Sequence, residues 1–206
     1  MSNQVEHWKK AIQELKKLNN YQVAIGFFGE RDSRLLTIVR ANEYGAHIRP
    51  KNGQWLTIPT KEAEDGDNGL PRSAKEIKGL FRPKGKNILC VNRDGKLVVM
   101  YYLVKSVDIP ARPFIRTAWI ENKGKYASLI KSGIESICFE NGTAEKLLKK
   151  LGETAASDIR KASIKLSKPS NAPVTVERKG SNNPLVDTGE LQKRVTYKII
   201  PTGGKL

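Results

Sequence analysis

Apolar residues recur at steps of three and four across residues 4–18, where Val5, Trp8, Ile12, Leu15 and Leu18 stand among Lys and Glu. That spacing puts them on one stripe of an amphipathic helix. Asn19-Asn20 ends it, because Asn tolerates the left-handed conformation at a helix C-terminus. Residues 21–28 (Tyr-Gln-Val-Ala-Ile-Gly-Phe-Phe) have the β-branched and aromatic content of a strand, closed by Gly29. Ser33 is placed to cap a second helix running to Tyr44, with Leu35, Leu36, Ile38, Val39 and Ala41 as its apolar members and Gly45 as its stop.

The pattern loosens between 46 and 87, a segment rich in Pro, Gly and charge, with short apolar pieces at 55–58 and 76–81. Within it, residues 62–69 form a polar loop whose Asp, Asn and Gly lack the alternating ligands and closing Glu of a calcium loop. Residues 88–92 and 96–106 flank Arg93-Asp94-Gly95, and an Asp-Gly between β-rich runs predicts a hairpin. The second run, 97–104, is apolar without alternation, the mark of a strand buried on both faces. Pro110 and Pro113 make a rigid corner of Ile109-Pro110-Ala111-Arg112-Pro113-Phe114. A helix follows over 114–139, weakened at Gly124 and Gly133. After the Asn141-Gly142 turn, Thr143 caps another helix over 144–166, striped by Leu147, Leu148, Leu151, Ala155, Ile159, Ala162 and Leu166. Pro169 and Pro173 forbid its continuation. The remainder is rich in Pro, Ser and Asn, then carries a short helical turn at 189–192 begun by Asp187 or Thr188, and a strand over 194–200.

These elements predict an α+β fold: a small antiparallel β-sheet packed with an N-terminal helix and two longer helices, plus an extended loop and a C-terminal arm. We place one domain at 1–166, with a long loop at about 60–87, and an arm at 167–206 with a short turn and a closing strand. With 206 residues, 38% of them hydrophobic, the chain should build one modest core and leave a sizeable share outside it.

Charge changes the picture more than composition. Thirty-seven Lys and Arg against 21 Asp and Glu give a formal +16, a field that attracts polyanions and acidic protein faces. The cations are spread along the chain with no basic tail. Arg82-Pro83-Lys84-Gly85-Lys86 is a compact basic turn, and Lys149 and Lys150 lie on the fourth predicted helix. All are candidates for contact with DNA or an acidic partner, although a solvated loop is the plainer reading of the turn. Trp8, Trp55 and Trp119 each sit in an apolar pattern and read as packing residues. They do not interleave with cations as on a single-strand stacking platform. No signal-peptide pattern is visible, and the longest apolar run, 97–104, is too short to span a bilayer.

Reactive constellations are not signalled. Cys90, in an apolar run, and Cys138 have no paired-ligand spacing, so both are expected to be structural, and no metal or cofactor is implied. His7 is expected at the surface of the first helix and His47 in a loop, neither in a local triad pattern. Asp187-Thr188-Gly189 occurs once, near the C-terminus and before a charged Glu190. It therefore suits a helix cap better than an aspartic-protease site, which needs two carboxylates sharing a proton. Gly26-Phe27-Phe28-Gly29 lacks the Gly spacing and Lys-Ser/Thr of a phosphate loop.

Three phrases carry a resemblance. Ala41-Asn42-Glu43-Tyr44-Gly45 followed by His47-Ile48-Arg49-Pro50, then Ile109-Pro110-Ala111-Arg112-Pro113-Phe114, then Pro184-Leu185-Val186-Asp187-Thr188-Gly189-Glu190-Leu191 occur in this order. Together they resemble segments of the neck and tail-completion (head–tail joining, virion morphogenesis) proteins of tailed bacteriophages. Lys193-Arg194-Val195 stands where many members have Ser-Ile, and the loop at 60–87 is longer. The resemblance implies a non-enzymatic structural subunit, made in the host cytoplasm and built into the virion at the head–tail junction. There it would form a ring, six-fold or twelve-fold, between portal or connector proteins and the tail terminator or tail tube, with DNA passing through the lumen. A terminator ring at the top of the tail tube is the alternative within that class. Outside it stand a basic nucleic-acid-binding protein and a small hydrolase using Asp187 or His47. On the ring reading, Glu43, Tyr44, Gly45, Ile109, Pro110, Arg112, Pro113, Phe114, Asp187, Thr188, Gly189 and Leu191 are geometric residues with no chemical role.

Overall fold

The computed structural model describes residues 2–29, 33–63, 72–180, 182–186 and 189–204. The fold is α+β. In chain order it runs α1 (Ser2–Asn20), β1 (Tyr21–Gly26), α2 (Arg34–Tyr44), β2 (Ala46–Ile48), β3 (Leu56–Pro59), a 3₁₀ turn (Lys61–Ala63), β4 (Ile88–Arg93), β5 (Lys96–Val104), β6 (Val107–Ile109), α3 (Phe114–Phe139), α4 (Ala144–Lys165), α5 (Pro173–Lys179), α6 (Glu190–Arg194) and β7 (Thr196–Pro201).

The single sheet expected from sequence is divided into three antiparallel pieces. β1 pairs with β7 from Tyr21↔Pro201 to Gly26↔Thr196, so the closing strand returns to the start of the chain. β2 pairs with β6, and β5 lies between β3 and β4. The hairpin turns at Asp94 and Gly95, both with positive φ, as the primed turns matching strand twist require. As the central strand, β5 buries Met100, Tyr101 and Leu103, but Leu97 and Tyr102 are exposed, so burial on both faces holds only in its middle.

The apolar residues likewise gather in three clusters instead of one core. The largest joins Val39 of α2, Phe114 and Ala118 of α3, Ala156 and Ile159 of α4, and Leu185 and Val195 of the C-terminal segment. A second lies under the β3–β5–β4 sheet around Ala63, Val91, Met100 and Tyr101. A third joins Ala11 of α1 to Ile137 and Leu147. Short strands and a 206-residue chain divide the apolar surface among local layers, each covered by a different helix or loop.

α3 runs unbroken through Gly124 and Gly133. A Cβ at Gly133 would stand 2.3 Å from Leu147 Cδ1, so this glycine lets α4 approach rather than weakening the helix. The same closeness recurs at Gly152, against the Tyr197 ring. α4 is capped by Thr143, whose hydroxyl oxygen accepts from Lys146 N–H at 3.3 Å. Glu14 of α1 adds a carboxylate oxygen that accepts from Ala144 N–H at 2.8 Å. Its pKa lies below the ordinary carboxylate value, through the Lys17 hydrogen bond first and the Ala144 amide second.

α1 is turned from the orientation its large residues suggest. Ala11 and Glu14 are buried and Leu15 and Leu18 half-buried, whereas Val5, Trp8 and Ile12 are about half exposed. The inward face is set by the small Ala11 and the capping Glu14, which allow close approach and fix an orphan amide of α4. Trp119 is also exposed, at 60%, so of the three tryptophans only Trp55 is half-buried. Phe27 and Phe28 fall outside β1. Pro173 does not merely interrupt the chain. It opens α5, because a first-turn residue has no intrahelical N–H bond to lose. β7 starts two residues later than expected, since Arg194 belongs to α6.

Candidate functional site

The three phrases singled out in the sequence meet in space. Glu43, at the end of α2, is 2% exposed. Its two carboxylate oxygens accept from Ile115 N–H at 2.9 Å and Arg116 N–H at 3.1 Å, and Arg116 Nε–H adds a third bond at 3.1 Å. α3 begins after Pro113, which has no side chain able to cap it. Its first amides are therefore satisfied from another helix, and a carboxylate there also meets the positive end of the helix dipole. Tyr44 is exposed, with the Arg116 guanidinium 5.2 Å from its ring centroid.

Gly45 has φ +77°, and a Cβ there would lie 3.0 Å from Ile109 O and 3.1 Å from Ala111 N. The α2–β2 turn thus presses directly on the proline corner. Pro110 is exposed and Ile109 and Pro113 half-buried, while Phe114 is fully buried with its ring edge-on to Phe27. Arg112 is 6% exposed. Its backbone N–H donates to Asn42 O at 2.6 Å, and its guanidinium donates to Pro169 O, Ser170 O and Asn42 Oδ1 at 2.9–3.1 Å. Those partners are neutral, and burial lowers the guanidinium pKa.

The third phrase joins through the core and through polar ties. Leu185 is buried beside Phe114, and Leu191 packs against the same cluster. Asn183 Oδ1 accepts from Leu185 and Val186 N–H. Arg160 of α4 donates to Gln192 O and Val195 O, and Gln192 Nε2 donates to Ser163 Oγ and Leu185 O. The C-terminal segment, expected from sequence as an arm, is therefore tied to α4 through Asn183, Gln192 and Val195 and to the corner through Pro169 and Ser170. Gly189 precedes α6 with φ +75°. Asp187 and Thr188, the expected cap, lie outside the described residues, as do residues 64–69 of the polar loop.

The histidines sit differently from expectation. His7 is half-buried and ties α1 to the end of α3 through Cys138 O at 2.8 Å and Asn141 Oδ1 at 3.2 Å. His47 is in β2, with Nδ1 2.5 Å from Asp108 Oδ1 on the paired strand. Arg49 Nε–H donates to His47 Nε2 at 2.9 Å. In this network Nδ1 faces the Asp108 carboxylate and Nε2 accepts from the Arg49 guanidinium. Among the described residues no group of three or more His, Cys, Asp or Glu is arranged to hold a metal, and no helix is long and apolar enough to cross a membrane. The cleft between α1, α4 and β7 contains Glu14, Lys17 and Glu145. Glu14 pairs with Lys17 and Glu145 with Lys149, each at 2.6 Å.

The basic candidates divide. Lys149 is engaged by Glu145, whereas Lys150 is exposed. Arg82 is built into its own turn: Nε–H donates to Lys86 O and a terminal N–H to Asn87 Oδ1, both at 2.8 Å. Its guanidinium lies 5.0 Å from the Trp55 ring centroid, and Lys105 Nζ lies 6.0 Å from it. Aromatic and cation do interleave here, in a cluster hidden from sequence reading because its members lie decades of residues apart. Lys84 and Lys86 are exposed.

The chain matches no family model, and neither a curated protein nor a solved structure is similar to it.

Proposed function

We propose that this protein is a structural virion subunit of a tailed bacteriophage, forming a neck or tail-completion ring at the head–tail junction and making or breaking no bond. The observation that carries the reading is the meeting of the three phrases at one knot. Glu43, Gly45 and Arg112 are each committed to fixing the angle between α2, the corner, α3 and the C-terminal segment. A subunit that closes head-to-tail about an axis needs such fixed angles, since a small error per subunit accumulates around the ring.

Exposed apolar side chains support it. Val5, Trp8 and Ile12 form a row along α1, and Trp8 meets Phe139, itself 70% exposed, with ring centroids 6.1 Å apart. Neighbouring subunits would cover such a row. Portal or connector proteins on one side and the terminator or tail tube on the other are the expected partners, and DNA would pass through the lumen.

Native mass spectrometry and negative-stain imaging, with and without a portal or tail template, test the reading. Closed rings are expected, and Trp8→Glu should prevent them without unfolding the monomer. Infectious particles assembled in the absence of the protein would overturn it. A second reading, a basic nucleic-acid-binding protein, is favoured by the +16 charge; a salt-sensitive monomer on DNA that never forms rings would be its signature.

A further inference from the structure

The cations of this chain are spread along the sequence, but the fold does not leave them spread. β3 and β4 both run antiparallel to β5. The start of β3, the start of β4 and the exit of β5 therefore share one end of the sheet. The segments leaving that end carry Arg49, Lys51, Arg82, Lys84, Lys86 and Lys105, all exposed. No acid occurs in residues 44–61 or 77–93, and between Asp94 and Val107 there is none either. The nearest carboxylate in sequence, Asp108, is held by His47. The opposite end of the same sheet mixes both signs: Lys61, Arg72, Lys78, Arg93 and Lys96 stand with Glu62, Glu76 and Asp94, and Arg93 pairs with Glu62 at 3.5 Å. An ordinary solvated surface would resemble that mixed end.

We propose that the unbalanced end is a docking surface for the phosphodiester backbone of nucleic acid, with Lys84, Lys86 and Lys105 as its contacts. Trp55 and Arg82 are the platform beneath them. The guanidinium on the indole face, together with its bonds to Lys86 O and Asn87 Oδ1, holds the turn in shape. Lys84 and Lys86 are exposed on that turn, and Lys105 Nζ lies 6.0 Å from the same indole ring. Lysine heads on flexible stems neutralise phosphates as point charges and read no base, so the binding is independent of sequence. A cluster in which six cations stand with one carboxylate, Asp108, is complementary to a regular line of phosphates, whereas an acidic protein face would have to match it charge by charge. The inference needs only the surface of one subunit and holds whether or not subunits close into a ring.

Fluorescence anisotropy with a short mixed-sequence DNA duplex, and with a single strand of equal length, tests it across a salt series. Lys84→Gln/Lys86→Gln/Lys105→Gln should weaken binding about tenfold or more near 0.1 M salt and flatten the log K against log salt slope by about 2–3. Lys149→Gln/Lys150→Gln, on α4, removes nearly as much charge and should change either quantity far less. Equal loss in both variants would overturn the proposal in favour of a diffuse charge effect. Undiminished binding by the triple variant, or no binding by the parent chain at low salt, would overturn it outright. So would poly-glutamate displacing DNA at equal charge concentration, because the surface would then not distinguish phosphates from carboxylates. A ring seen by native mass spectrometry alongside any of these results would leave the assembly reading standing, and the absence of a ring would leave this one standing.

Discussion

Replacing Glu43 with Ala leaves the first amides of α3 with no acceptor in a site that water scarcely reaches. Each backbone N–H bond to the carboxylate is charge-assisted and contributes about 1.5–3 kcal/mol. The Arg116 ion pair adds less, about 0–1 kcal/mol, because that side chain is 55% exposed and screened by solvent. Allowing for partial rescue by water once the side chain is gone, the expected loss is about 3–5 kcal/mol, the range for opening one side of a buried charged contact. That is a large share of the roughly 5–15 kcal/mol that stabilises a domain. Glu43→Gln keeps one oxygen for one of the two amides and should cost about 1–2 kcal/mol. Urea unfolding followed by circular dichroism reads both as a lower midpoint with an unchanged slope. The control is Arg116→Ala, which removes the ion pair and spares the cap, and should cost about 1 kcal/mol or less. If Glu43→Ala stayed within about 1 kcal/mol of the parent, or if Arg116→Ala proved equally costly, the capping role would be refuted.

Gly45→Ala should lower stability by about 1–3 kcal/mol, since it combines a positive φ with backbone atoms at 3.0–3.1 Å, and the same urea titration measures it. Glu14 has a folded pKa below its ordinary value, so the stability it contributes is present above the unfolded carboxylate pKa and lost as pH falls through the lowered one. Glu14→Gln should therefore flatten the acid limb of a stability-against-pH profile, and an unchanged limb would contradict the Glu14–Ala144 contact. Cys90 is fully buried and Cys138 only partly, so a thiol reagent should label Cys138 in the native state and Cys90 only on unfolding, as mass spectrometry of the labelled peptides would show.

The long periodic elements were legible because their patterns repeat over many turns. α3, α4 and the Asp94-Gly95 hairpin lie within a residue or two of their predicted places. β2 and β6 were not, since three residues carry no period and their pairing joins positions about 60 apart. The face of α1 was misjudged because counting large apolar residues favours Trp8 and Ile12, while close helix approach is decided by Ala11 and by the acceptor that Ala144 requires. Glu43 stood out in a phrase, but its work as the cap of a helix 72 residues further on is a property of the fold. The stacking of Arg82 on Trp55 was hidden in the same way.

Both long helices start under a carboxylate borrowed from an earlier helix: Glu14 of α1 at α4, and Glu43 of α2 at α3. α3 and α4 face each other as a hairpin, with Gly133 against Leu147 near its turn and Tyr126 OH donating to Asp158 further along. Each end of this hairpin is thus bolted to a different outer helix. Those outer helices also carry exposed apolar side chains, Val5, Trp8 and Ile12 on α1 and Ile38 and Tyr44 on α2. Because packed cores transmit strain rather than absorb it, a neighbour pressing on either outer helix would load a helix N-terminus and, through it, the orientation of the whole hairpin. Glu14, Glu43 and Arg112 each also bond backbone groups of another element, an arrangement suited to holding a shape under contact forces.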